Sequence, residues 1–237
     1  MAVKKLSTPE CHHCQARFKS VFCDLHGEEL DALNLQKGCN TFKKGQEIFK
    51  EGFFPKGLFC INSRKIKISQ LGNEGKEQIV RFAKEGDVIG YRALLSGEKY
   101  SGSAKALAES SVCFIPRDTF FTLIEKNTNL SMGMLKLISH DLKEAEHKIT
   151  NLAQKPNRER LAEALLFLKE TYGFENDGAT INVILSREEI SNLVGTATET
   201  TIRLLSEFKK DKLIDFVGKK IRFLNTKELI RTAEIFD

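Results

Sequence analysis

Leu185-Ser-Arg-Glu-Glu-Ile-Ser-Asn-Leu-Val-Gly-Thr-Ala-Thr-Glu-Thr-Thr-Ile-Arg-Leu-Leu205 decides the fold, because its spacing predicts two short amphipathic helices joined by a tight turn at Gly195. Ser186 is a natural N-cap and Glu189, three residues on, completes the capping-box pattern, which places the first helix over residues 187–194. Thr196 and Glu199 repeat that spacing, so a second helix is expected through Lys209 with Ile202, Leu204, Leu205 and Phe208 as its packing face. A helix-turn-helix presents the first turns of its second helix to base edges in the major groove. There Arg offers two bonds to guanine and Glu accepts from the cytosine amino group. The residues so placed are Thr198, Glu199, Thr200 and Arg203. An ordinary helical hairpin, with Glu199 and Arg203 as a surface ion pair, has the same spacing.

Leu213-Ile-Asp-Phe-Val-Gly-Lys-Lys-Ile-Arg-Phe-Leu224 supplies two apolar-rich runs around a Gly-Lys-Lys turn, which reads as a β-hairpin. Helix, turn, helix and hairpin make a winged helix. On these residues the chain resembles the CRP/FNR transcription regulators, whose recognition helix carries Glu-Thr-x-x-Arg, here Glu199-Thr200-Thr201-Ile202-Arg203. The resemblance implies Glu199 and Arg203 as base readers, with Thr198 tuning the preferred sequence. Ser186, Arg187, Thr196, Lys219 and Lys220 complete the expected DNA contacts. Ile202 stands where the FNR branch usually has Ser, so that branch's half-site is not carried over unchanged; an aliphatic side chain can meet a thymine methyl group but forms no hydrogen bond.

Bulk charge says little about this partner. The chain has a formal net charge of +5, yet residues 156–237 carry thirteen Lys and Arg against fourteen Asp and Glu. Local charge is more telling, with seven basic and three acidic residues from Arg203 to Arg222. Cations beside a recognition helix and on a wing orient the protein on phosphates without reading sequence.

From Thr41 to Pro116 short β-type runs alternate with turns: Gln46–Phe49, Gly57–Ile61, Lys65–Ser69, Gln78–Phe82, Val88–Tyr91 and Val112–Ile115. The expected class is α+β, and this part resembles the cyclic-nucleotide-binding β-roll of the same family, with Lys44-Gly45-Gln46, Glu85-Gly86-Asp87 and Gly90 in order. Arg64 replaces the Gly that relatives commonly carry in that turn. Cyclic AMP is argued against as ligand: Gly90-Tyr91 and Gly102-Ser103-Ala104 stand where the cyclic-AMP-binding branch has Gly-Glu and Arg-Ser-Ala. A buried phosphate would lack its counter-charge. Tyr91, Arg92, Tyr100 and Ser103 are the candidate lining of an effector pocket.

Leu135, Ile138, Leu142, Ala145, Ile149 and Leu152 recur at three-four spacing, the seam of a coiled coil. The expected organisation is a cysteine-bearing segment and β-roll over 1–127, a dimerisation helix over 128–155 and a winged helix over 156–237. A homodimer would place two reading heads on an inverted repeat in double-stranded DNA, with RNA polymerase as the further partner.

Six cysteines without a secretion signal or an apolar membrane span point to a cytoplasmic protein with thiols or metal ligands. Cys11-His-His-Cys14, Cys23 and Cys113 match the places where FNR-type oxygen sensors hold a [4Fe–4S] cluster, although eight residues separate Cys14 from Cys23, more than that branch carries. His26 after Cys23 also gives a zinc pattern, and buried cysteines without metal are a third reading. Cys39 and Cys60 read as structural. No Ser-His-Asp order, phosphate loop or His-Glu-x-x-His points to an enzyme. A ligand-binding regulatory subunit acting on a protein partner is the alternative to a DNA-binding regulator.

Overall fold

A computed structural model describes residues 9–72 and 75–234. These form two compact units, and the divide in the longest helix falls between Leu142 and Lys143.

The first unit opens with a 3-10 turn at Cys11–His13, helix α1 at Gln15–Phe18 and α2 at Gly27–Gln36. Strands β1 Gly38–Phe42, β2 Glu47–Phe49, β3 Gly57–Ser63, β4 Ile66–Leu71, β5 Glu77–Ala83 (of which Val80 onward belongs to this unit) and β6 Val88–Ile89 follow, then α3 Tyr91–Ser96, β7 Ser103–Ala106, β8 Ser110–Pro116 and α4 Arg117–Lys126. Two four-stranded sheets result, in the orders β1-β8-β3-β6 and β2-β7-β4-β5. The runs expected from sequence all appear, with two differences. Tyr91 starts a helix rather than ending a strand, because Gly90 at φ +82° turns the chain out of β6. Strands β1 and β7 carry too few bulky apolar residues to announce themselves. Arg64 adopts φ +71°, so this turn does use a left-handed residue without glycine.

Strands β3 and β8 are buried on both faces, and their side chains alternate between two cores. Phe59, Ile61 and Val112 join Ile66, Ala83, Ile89, Ala104 and Ala106 inside the roll. Leu58, Cys60 and Ile115 face the other way, against Phe22, Leu25, Leu33, Phe120, Leu123 and Leu130 from the helices. Each such Leu or Phe stabilises the fold by roughly 1.5–3 kcal/mol.

Helix α5 spans Thr128–Gln154. Leu135, Ile138, Leu142, Ile149 and Leu152 are exposed on it, an apolar stripe along most of its length. The second unit continues with α6 Asn157–Tyr172, α7 Arg187–Val194, α8 Thr198–Lys210, β9 Ile214–Val217, β10 Lys220–Phe223 and α9 Thr226–Thr232. Its core is built on Leu161, Leu165, Ile190, Leu205, Phe208, Ile214 and Leu229. Among the described residues no helix is long and apolar enough to cross a membrane.

Candidate DNA interface and cysteine cavity

Both halves of the capping box at the start of α7 are formed. Ser186 Oγ accepts from the Glu189 amide at 3.0 Å, and Glu189 Oε2 accepts from the Ser186 amide at 2.8 Å. Gly195 ends the helix at φ +73° and donates its amide to Ser191 O at 2.8 Å. A Cβ at Gly195 would stand 2.8 Å from Leu152 Cδ2, a side-chain tip that can swing aside, so it is the left-handed conformation that calls for glycine here. Helix α8 departs from expectation at its start: Ala197, not Thr196, is the N-cap and no side chain caps it. The hydroxyls of Ser191 and Thr198, 3.0 Å apart, tie the two helices instead.

Thr201, Leu204, Leu205 and Phe208 form the buried face of α8, whereas Ile202 is 47% exposed. The expected packing role of Ile202 is therefore corrected: it shares the outward face with Glu199 and Arg203. Arg203 donates to Glu207 Oε1 at 2.7 Å, one turn further on, rather than to Glu199. The pair is largely exposed and worth about 0–1 kcal/mol, less than the roughly 1–3 kcal/mol of a bidentate contact to guanine, so a base can displace it.

On the wing, Val217 pairs with Lys220 across the turn and Gly218 adopts φ +60°. Lys219 is exposed, and Lys220 pairs with Glu175. Arg187 is half-buried, its guanidinium 4.4 Å from the centroid of the Phe216 ring with Nη1 buried and unbonded. Burial holds its pKa down.

Of the candidate effector residues, Tyr91, Tyr100 and Ser103 each have partners of their own. Arg92 is exposed, Tyr100 stacks on Phe49 with ring centroids 4.1 Å apart, and Ser103 Oγ accepts from the Glu51 amide at 3.0 Å. Tyr91 instead donates its hydroxyl to Asp141 on α5, which also pairs with Arg81. Desolvation, then the hydrogen bond to Asp141, pushes the Tyr91 hydroxyl up to about 12. Sequence reasoning missed this group, since its members lie 50 and 60 residues from Asp141.

A small cavity in the first unit is lined by Cys11, Cys14, Cys60 and Cys113, with Arg17, Lys37 and Asn62 among its polar residues. Arg17, though buried, is satisfied by carbonyl oxygens: Cys11 O at 2.8 Å, Phe22 O at 3.0 Å, Cys23 O at 2.8 Å and Leu25 O at 3.4 Å. Cys14 Sγ donates to Asn62 Oδ1 at 3.3 Å. Desolvation raises the Cys11 thiol and pushes the Cys60 thiol up to about 12, the latter with help from Cys14 and Cys11. Cys39 and Cys113 form a disulfide, a departure from the expectation of thiols.

Residues 39–127 match the cyclic nucleotide-binding domain and residues 159–232 the Crp-like helix-turn-helix domain. Fumarate and nitrate reduction regulatory protein from Vibrio cholerae is 33% identical, over 99% of this chain and 96% of that protein. The chain belongs to the CRP/FNR family of transcription regulators. The Yersinia pestis protein of the same name is 34% identical over 93% of this CRP/FNR chain and 90% of its own length. Two solved structures share the fold. A putative transcriptional regulator of the crp/fnr family from Eubacterium rectale has a TM-score of 0.77 at 18% identity, covering 91% of this chain and 98% of its own. FixK2 from Bradyrhizobium japonicum has a TM-score of 0.73 at 22% identity, with 85% and 99% coverage. The chain is a sequence-specific DNA-binding regulator, which sets aside the reading as a protein-directed regulatory subunit.

The cluster that FNR-type relatives imply can be tested against this donor set. Cys11, Cys14 and Cys113 reach one cavity, but Cys23 does not line it and Cys113 is bonded to Cys39. Among the described residues no three His, Cys, Asp or Glu side chains are close enough to hold a metal. The expected set of Cys11, Cys14, Cys23 and Cys113 therefore does not fit as arranged.

Proposed function

We propose that this CRP/FNR chain works in the cytoplasm as a homodimer on an inverted repeat in double-stranded DNA and acts through RNA polymerase. In each half-site Thr198, Glu199, Thr200 and Arg203 face the bases, with Ile202 against a thymine methyl group. Ser186, Arg187, Thr196, Lys219 and, after release from Glu175, Lys220 hold the phosphates. The observation that carries this reading is the split of α8 into a buried face and an outward Glu199, Ile202 and Arg203. The exposed stripe on α5, with Ala145 at its centre, is the face that joins the protomers. The relatives' name ties them to fumarate and nitrate reduction, and oxygen or another oxidant acting on cysteines is the signal read for this chain.

Selection of bound DNA from random sequence tests the interface. Arg203→Ala should cost about 1–3 kcal/mol at one guanine position and relax its preference. An equal loss on every sequence would assign Arg203 to phosphate.

A further inference from the structure

Arg203 is held from behind. Its Nη1 donates to Glu207 Oε1 at 2.7 Å, one turn further along α8, and among the described residues no group bonds its Nε or Nη2. The other oxygen of the same carboxylate, Glu207 Oε2, lies 3.6 Å from Nη1 of Arg158, in the first turn of α6. Arg158 is fixed in turn. Its Nη2 donates to Asp211 Oδ2 at 2.7 Å, and its guanidinium lies over the ring of Phe208, 4.8 Å from the centroid. Phe208 is fully buried. A chain of contacts therefore runs from the core of the second unit through Arg158 and Glu207 to the residue read above as a base contact. An isolated ion pair one turn apart on a helix is a weak restraint, because both long side chains must be ordered to form it. Here Glu207 is already oriented on its far side when Arg203 meets it, so less freedom remains to be lost on binding.

A guanidinium carries its N–H donors in a planar fork. With Nη1 occupied, the edge formed by Nε and Nη2 still has two parallel donors, the pattern that matches N7 and O6 of guanine. Glu207 is open to displacement on energetic grounds, yet guanine read on this edge does not require it. No other base offers two acceptors in the major groove: adenine sets a donor beside its acceptor, thymine has one acceptor beside its methyl group, and cytosine has a donor. We propose that Glu207, anchored by Arg158, is a positioning residue for base reading. It keeps its bond to Arg203 in the complex, presents the Nε–Nη2 edge to guanine, and keeps the side chain from swinging to a phosphate where guanine is missing. Specificity gains because the wrong sequence is denied a substitute contact. This rests on the reading of Arg203 as a base contact.

The full-length protein is titrated onto a labelled duplex bearing the inverted repeat found by selection, and onto a second duplex in which adenine replaces, in one half-site, the guanine whose preference Arg203→Ala relaxes. The quantity compared is the ratio of the two affinities. Removing a carboxylate strengthens binding to all DNA through charge alone, and that gain cancels in the ratio. Glu207→Gln, of unchanged circular dichroism, should lower the ratio roughly two- to five-fold, the range of an exposed ion pair. Arg158→Gln should lower it too, by less. In the Arg203→Ala background Glu207→Gln should leave the ratio where Arg203→Ala put it, since Glu207 acts only through that guanidinium; a further fall there would overturn the positioning role. A ratio unchanged or raised by Glu207→Gln, with Arg203→Ala still relaxing the preference, would show that guanine displaces Glu207, and would overturn the positioning role while leaving the base-reading role intact. A wild-type ratio in Arg158→Gln would overturn the anchor and leave Glu207 acting alone. Should Arg203→Ala relax no position, the base-reading role fails and the positioning role with it.

Discussion

The winged helix and the cysteine cavity are assembled in opposite ways. The two helices of the reading head are set by one short run, where a capping box, a left-handed glycine and a second amphipathic helix follow in order. The cavity draws its sulfurs from three separate places, the Cys11–Cys14 turn, Cys60 on β3 and Cys113 on β8, and strand register together with packing of the N-terminal segment brings them together. A motif with local causes is readable from sequence. A site made by register is not.

The largest expected effect tests whether one reading head suffices. Ile138→Glu places a charge on the exposed α5 stripe and should separate the protomers in sedimentation, lowering operator affinity by about 10²–10⁴-fold as the second head is lost. Retained dimers would move the interface elsewhere.

The next two changes ask whether the reading head is locally determined. Gly195→Ala forces a Cβ into the left-handed region, at a cost of about 1–2 kcal/mol on conformation, while the exposed Leu152 tip can turn away. Thermal unfolding should show the loss. Ser186→Ala removes one half of the capping box and should cost about 1 kcal/mol, with Ser186→Asp retaining most of the stability. If neither change lowers stability, α7 and its turn are held by packing and the comparison with the cavity fails.

The smallest effect belongs to the first unit. The Tyr91 hydroxyl titrates near 12 in the folded protein against about 10 when unfolded, so the folded state holds this proton more tightly. Its contribution is whole below pH 10 and is lost as pH climbs toward 12. Tyr91→Phe should remove that part of the alkaline loss in urea melts taken across this window. An unchanged pH profile would separate Tyr91 from Asp141.

The same contrast explains what was legible. The capping box gave α7 to the residue, because its hydrogen bonds join positions three apart. Ile202 was misplaced because periodicity counts apolar residues and cannot see that Thr201, fully buried, takes the inward position. Thr196 imitated an N-cap, but α8 begins at Thr198 and leaves it outside. Most strands of the roll were visible as apolar runs, while β7, Ser-Ala-Lys-Ala, lacks the bulk that marks a strand. Cys113 was expected as a metal ligand, and its disulfide partner was not legible, since Cys39 is 74 residues away in the sequence. The pairing of Lys220 with Glu175 was not legible, because the two lie 45 residues apart.

Arg17 grips the segment from Cys11 to Leu25 by carbonyl oxygens alone. Every residue type has that oxygen, so the clasp is indifferent to which side chains lie between Cys14 and Cys23. Exposed positions such as His12, His13 and Lys19 are thereby released to drift or to be redesigned, while the sulfur positions stay fixed. A single interior guanidinium lets the exposed positions of this stretch vary without varying its shape, while Phe22 and Leu25 answer to the core, and Arg17→Lys, which cannot fork to four carbonyls, would end that freedom.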